Sequence, residues 1–360
     1  MNRTKHSKAR LIAFYLPQYH PIPENDKWWG KGFTEWTVVA KAKPLFRGHY
    51  QPRIPADLGF YDLRLPETRE AQAQLAKDHG IEGFCYWHYW LGNGKRLLER
   101  PFEEVLTSRE PNYPFCLAWA NHDWKGVFFG AEGRPLAKQT YPGEDDYRRH
   151  FDYLLTAFFD SRYITLNRKP ILVIYKPLDI PECRKYMDLW RELALNAGLE
   201  GLYLIANGSD IKAGQWQELG FDGAVYTRNA AICNSDKGLL RLMIRLVRRL
   251  RLYSYGDATC FFLKENYGPN EFPSIIPNWD SSPRLGKNAL IFKDWSPVLF
   301  RRHVRQALEK VAERAFEERL VFIKSWNEWA EGNYIEPDLE NGRQYLEIIK
   351  QENSVSSIHG

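Results

Sequence analysis

The feature that most constrains this chain is an alternation. Short apolar runs rich in β-branched and aromatic residues are each followed by a loop and a longer stretch with helical periodicity. The runs lie at residues 11–17, 83–90, 115–120, 170–175, 202–207, 222–227, 274–279 and 319–326. Helical patterns fall at 66–79, 96–108, 145–159, 181–196, 239–252, 297–316 and 344–351. The runs are continuously apolar, as expected of parallel strands covered on both faces. Eight such runs, alternating with these helical stretches, predict an α/β fold, a (β/α)8 TIM barrel forming one domain over residues 1–360, with flexible tails at 1–9 and 352–360. A doubly wound sheet is the alternative. It fits less well, because no glycine-rich phosphate loop follows the first run.

In such a barrel the site is built at the C-terminal ends of the strands. Those ends carry rings and polar groups where a strand core should stop: Leu16-Pro17-Gln18-Tyr19-His20, Tyr86-Trp87-His88-Tyr89-Trp90, Trp119-Ala120-Asn121-His122-Asp123-Trp124, Tyr175-Lys176, Asn278-Trp279-Asp280 and Trp326-Asn327-Glu328-Trp329-Ala330-Glu331. Flat rings stack on sugar C–H faces, and Asn, Asp, His and Tyr bond hydroxyls, so the pattern points to a glycan. The content of 13 Trp and 20 Tyr in 360 residues supports that reading, although core packing accounts for many of them.

Glu328 and Glu331 are the sharpest pair. They lie three apart, just past the last run, and a turn there points both the same way. Glycoside cleavage needs one protonated carboxyl to release the leaving oxygen and one ionised carboxyl to stabilise or attack. Two like charges held close push one pKa up and so divide these tasks. A solvated acidic turn that caps a helix is the competing reading of a bare E-x-x-E. Trp326, Trp329 and the repeated strand-end signature favour catalysis. Glu35 sits after the first run, on the site side, where a loop salt bridge is its plainer role. Glu336 is placed to bond a hydroxyl or to fix the loop that carries the pair.

Other classes are disfavoured. A net charge of +5 is too mild to suggest a nucleic-acid partner. Five cysteines without C-x-x-C spacing argue against a disulfide framework and a zinc site. Histidines occur singly, and Glu144-Asp145-Asp146 reads as a helix-start charge pattern rather than a metal motif. No metal and no cofactor is expected. The short apolar run at 11–16 is no signal peptide, and a cytoplasmic location is expected. Arg241, Arg245, Arg248, Arg249 and Arg251 form a basic amphipathic pattern. It is read first as an outer barrel helix and second as a peripheral contact with a membrane or a lipid-linked glycan.

Several motifs together resemble a known family. Leu16-Pro17-Gln18-Tyr19-His20, Trp28-Trp29-Gly30-Lys31-Gly32-Phe33-Thr34-Glu35-Trp36, His49-Tyr50-Gln51-Pro52, Gly59-Phe60-Tyr61-Asp62-Leu63 and Trp326-Asn327-Glu328-Trp329-Ala330-Glu331-Gly332 resemble the WbsX family of O-antigen and surface-polysaccharide gene clusters. That family is in turn similar to the endo-α-mannosidases of glycoside hydrolase family 99. The resemblance runs from about residue 11 to 346. It implies a barrel in which Glu331 serves as general acid/base and Glu328 assists a sugar 2-hydroxyl in attacking the anomeric carbon. It also implies an oligo- or polysaccharide substrate. The expected substrate contacts are Tyr15, Gln18, His20, Trp28, Trp29, Glu35, Trp36, Tyr86, Trp87, Tyr89, Asn121, His122, Trp124, Tyr175, Trp279, Asp280, Trp326, Asn327 and Glu336. A retaining hydrolase or transglycosylase is the leading expectation. A glycosyltransferase that uses an activated donor is the alternative, and a non-catalytic glycan-binding barrel comes third.

Overall fold

The computed structural model describes residues 7–125, 135–208, 211–212, 214–227, 250–263 and 266–355. Eight parallel strands form the centre: β1 (Arg10–Tyr15), β2 (Gly83–Trp90), β3 (Phe115–Trp119), β4 (Lys169–Ile174), β5 (Tyr203–Asn207), β6 (Gly223–Val225), β7 (Glu271–Phe272 and Ser274–Ile275) and β8 (Leu320–Ile323). β1 pairs with both β2 and β8, through Ile12↔Gly83 and Ile12↔Phe322. The ladder continues in order through β3, β4, β5 and β6. The ring closes through β7 in two pieces. Glu271–Phe272 pairs with β6 and Ser274–Ile275 with β8. Pro273, which lacks an N–H, separates the pieces, and its carbonyl accepts from the Phe322 N–H at 3.1 Å. The expected seventh strand therefore starts earlier and ends sooner than residues 274–279.

Side chains alternate across the barrel wall. Phe14 stacks on Trp87 at 4.9 Å and on Phe322 at 5.5 Å, filling the interior. Tyr15 and Tyr86 point outward against the helices, where the Tyr15 hydroxyl donates to Gln72 Oε1 at 2.6 Å and Tyr86 meets Phe102. Among the described residues the helices in chain order are α1 (Pro23–Trp29), α2 (Glu35–Lys41), α3 (Pro66–Asp78), α4 (Arg100–Ser108), α5 (Glu144–Phe158), α6 (Cys183–Asn196), α7 (Gln215–Glu218), α8 (Tyr255–Phe262), α9 (Ser282–Leu285), α10 (Pro297–Glu309) and α11 (Gln344–Asn353). Starts follow local chemistry. Pro66 opens α3, and Ser296 caps α10 by accepting from the Leu299 N–H at 3.3 Å before Pro297.

Some expectations change. Helix α4 begins at Arg100, because Arg96–Leu97 instead pairs antiparallel with the end of β2. Arg251–Ser254 is a strand beside Leu290–Lys293, so the helical pattern at 239–252 does not reach Arg251. Arg241, Arg245, Arg248 and Arg249 lie outside the described residues. Some residues expected in flexible tails are bonded: Ala9 N–H donates to Asn353 Oδ1 at 2.9 Å, and Glu352 pairs with Arg301 at 2.9 Å. Cys85, Cys116 and Cys183 are buried thiols. Among the described residues no helix is long and apolar enough to cross a membrane.

Candidate active site

A cleft of about 870 Å³ opens at the C-terminal end of the barrel. The segment that follows β8 carries the acidic pair into it. Trp326 N–H donates to Phe14 O at 2.8 Å, which ties that segment to β1. Asn327 locks it further, accepting from the Leu16 N–H at 2.7 Å and donating to Leu16 O at 3.0 Å. The Tyr19 hydroxyl donates to Asn327 O and accepts from the Trp329 N–H. Residues 329–331 then form a single tight helical turn ended by Gly332 at φ +56°. A Cβ on Gly332 would stand 2.7 Å from Asp280 Cβ, so the residue allows both the left-handed turn and the close approach of the β7 loop.

That loop brings Arg284, the organising charge of the site. Its Nε donates to Glu35 Oε1 at 3.0 Å, and Nη2 bonds the same oxygen. Nη1 bonds Glu331 Oε1, and Nη2 lies 3.5 Å from Glu328 Oε2. One guanidinium thus faces three carboxyls. Glu35 is 0% exposed and lies at the start of α2, whose first turn is held by the Thr34 capping box. Burial raises its carboxyl pKa, opposed by Arg284. Glu328 is pushed up to about 8, first by burial and then by repulsion from Glu331, and Arg284 opposes the shift. The surroundings of Glu328 therefore favour its protonated form.

Asp280 anchors the loop that carries Arg284. It accepts from Gln51 Nε2 at 2.6 Å and from the Ser282 N–H at 3.0 Å, lies 2.8 Å from His49 Nε2, and its own N–H bonds Glu331 O at 2.6 Å. Burial opposes ionisation, but His49, Arg53 and the Ser282 bond hold its carboxyl at about 2. Glu336 braces the other side. It accepts from Gln72 at 2.6 Å, Trp329 Nε1 at 2.7 Å and Tyr61 at 2.8 Å, while burial raises its pKa to about 7.

Of the expected site residues, Gln18, Trp29, Trp87, Tyr89, His122, Trp124, Tyr175, Trp279, Glu328 and Glu331 line the cleft. The remainder stand behind it. Tyr15 and Tyr86 face the helices, and His20 is buried with neither ring nitrogen bonded. Trp28 backs Trp124 at 5.8 Å. Trp36 packs on Tyr19, Tyr61 and Trp329 and donates to Tyr61 O at 2.8 Å. Asn121 bridges Tyr141 Oη and the Lys176 backbone, and Trp326 packs on Phe84. Glu35, Asp280, Asn327 and Glu336 hold the loops. Asp123 and Lys176, which stand in the strand-end motifs, line the cleft as well, as do Tyr141, Asp179, Arg284 and Lys324, which the sequence did not single out. Lys324 lies over the Trp279 ring at 5.2 Å. Arg251, expected at the end of a basic outer barrel helix, also lines the cleft.

Fold and site together define a (β/α)8-barrel protein with an aromatic cleft around a carboxyl pair. Residues 11–349 match the family described as Glycosyltransferase WbsX, and the chain belongs to that family. An uncharacterized protein, WxcX, of Xanthomonas campestris pv. campestris is 35% identical over 356 residues. The match covers 95% of this chain and 49% of the relative, so the chain spans about half the length of the curated relatives it matches. Among solved structures, a glycoside hydrolase-like protein superimposes with a TM-score of 0.61 at 17% identity, covering 98% of this chain and 96% of the other. A GH99 endo-alpha-mannosidase from Bacteroides thetaiotaomicron does so with a TM-score of 0.58 at 16% identity, over 95% of each chain. At these identities the likeness establishes the barrel fold.

Proposed function

We propose that this chain is a single-domain carbohydrate-active enzyme acting on glycosidic bonds of a bacterial surface polysaccharide of O-antigen type. The observation that carries the proposal is the single guanidinium of Arg284 set against Glu35, Glu328 and Glu331 at an aromatic-lined cleft. Fully ionised, the three carboxyls and Arg284 would leave two net negative charges in a largely buried site, which burial opposes. A proton retained on Glu328 lowers that charge. The pair then holds one transferable proton at neutral pH, the state that glycoside cleavage requires.

In the retaining route, Glu331 protonates the departing glycosidic oxygen and then takes a proton from the incoming water or acceptor hydroxyl. Ionised Glu328 takes the proton of the sugar's 2-hydroxyl as that oxygen attacks the anomeric carbon, and returns it when the ring so formed opens. With the proton initially on Glu328, substrate entry has to move it to Glu331. A sugar hydroxyl donating to Glu328 favours its ionised form and supplies the direction for that move. Trp29, Trp87, Trp124 and Trp279 offer ring faces to the glycan, and Gln18, Tyr89, His122 and Tyr175 offer polar groups. A glycosyltransferase is the second reading, favoured by the description of the family to which the chain belongs.

The test compares the native protein and Glu331→Gln on lipopolysaccharide from the producing strain. New reducing ends from the native protein, and none from the variant, are expected. Turnover only with nucleotide- or lipid-linked donors would select the transferase reading.

A further inference from the structure

Glu35 was expected to touch substrate, but it does not line the cleft. It is fully buried behind Arg284, and one of its oxygens takes two guanidinium nitrogens. Its second oxygen has no hydrogen-bond partner. A buried carboxylate with half its bonding capacity unused is costly, so a role confined to stability accounts poorly for it.

The geometry points to Glu35 as a positioning residue: it anchors the Arg284 fork so that one arm reaches Glu331 while the other is shared, and thereby keeps Arg284 from closing fully onto Glu328. This deepens the reading of Glu328 and Glu331 as the working pair and rests on it.

The parts of the fold agree. α2 is fixed at its start by Thr34 and by the Glu35 N–H, which bonds Gln18 O at 3.2 Å. Trp36 wedges α2 against Trp329, one residue after Glu328. Glu35 therefore sits on a rigid element rather than on a swinging loop. Arg284 lies on the four-residue α9, which is anchored by Asp280. A guanidinium on so short a helix gains direction from its partners. Two of its three nitrogens bond Glu35, so the direction of the fork is set there. Nη2 is already committed to Glu35 and reaches Glu328 only at 3.5 Å, while Nη1 bonds Glu331 directly. With Glu35 neutral, nothing would keep Nη2 from a full ion pair with Glu328.

The groups that act on Glu328 come from every wall. Glu331 lies on its own loop, Arg284 on α9 and Glu35 on α2; Lys324 follows β8, Tyr89 lies on β2, and Tyr19 follows β1. Glu35 is the carboxyl among them that does not line the cleft. It can bias the proton on the pair without meeting the sugar.

The experiment follows the Glu328 carboxyl by ¹³C NMR in protein labelled at glutamate, and needs no substrate. Removing the Glu35 charge as Glu35→Gln should lower the Glu328 titration midpoint by about 1 pH unit or more, the scale on which one close charge acts. Glu35→Asp, which keeps the charge, should restore most of it. In an Arg284→Met background, Glu35→Gln should move the midpoint by less than half as much, because the shift passes mainly through Arg284. That background also serves as a second route should Glu35→Gln alone fold poorly, since it removes both members of the buried ion pair. An unchanged or raised midpoint in Glu35→Gln would overturn the proposal, as would equal shifts in both backgrounds. Absence of glycan cleavage by the native protein would instead count against the functional reading and leave this titration informative.

Discussion

Replacing Glu328 by Gln should remove activity yet stabilise the protein at alkaline pH. The carboxyl has an ordinary value of 4.5 and is held at about 8 in the fold. The folded state therefore binds a proton that the unfolded chain releases between those values. Its contribution to stability is fully present below 4.5 and is lost as pH rises through about 8. At about 1.4 kcal/mol per pH unit, the span sets a ceiling near 5 kcal/mol. The side chain is 10% exposed, and water contact reduces that ceiling, so a realistic difference is about 2–3 kcal/mol. Glutamine has the same shape and carries no charge at any pH. The assay is urea unfolding of the native protein and Glu328→Gln from pH 5 to pH 9. Glu35, also raised, and Glu336, at about 7, titrate in both proteins and cancel to first order. The variant's advantage should grow steadily with pH and level off above about pH 8. A constant difference, or a native protein that is the more stable at pH 9, would refute the reasoning.

Two further outcomes follow from the loops that frame the pair. Asp280→Asn should cost about 2 kcal/mol at pH 7, because the carboxyl's value falls from 3.8 to about 2 on folding; the penalty should disappear as pH drops through that window, as read by denaturation at pH 2–7. Gly332→Ala should cost about 2–4 kcal/mol, from the positive φ together with a Cβ placed 2.7 Å from Asp280 Cβ, and it should lower activity by displacing Glu331; thermal unfolding and turnover check the two effects separately.

The barrel was legible because its strands are buried on both faces and read as unbroken apolar runs. β7 was not, because Pro273 divides it into two short pieces, each too brief to carry a pattern. The acidic pair was legible from spacing and flanking tryptophans. Its organiser was not: Arg284 meets Glu35 across 249 positions of chain, and nothing local in Ser282-Pro283-Arg284-Leu285 signals such a contact. The misplacement of Tyr15 and Tyr86 had a remedy in the sequence. Period-two alternation along β2 turns Trp87 and Tyr89 inward together and sends Tyr86 out. Several residues of the motifs that carry the resemblance, among them His49, Gln51, Tyr61 and Asn327, hold the loops that place the pair rather than line the cleft. A motif marks such residues as strongly as it marks those that touch substrate, so sequence alone does not separate the two roles.

The central claim is that the Glu328–Glu331 pair breaks a glycosidic bond of a surface polysaccharide. The most direct measurement is to incubate the polysaccharide with the native protein and with Glu331→Gln in ¹⁸O-labelled water, then analyse the products by mass spectrometry and anomeric NMR. The account predicts fragments with one ¹⁸O at each new reducing end and retained anomeric configuration from the native protein, and none from the variant. Identical products from both proteins, or inverted configuration, would contradict it.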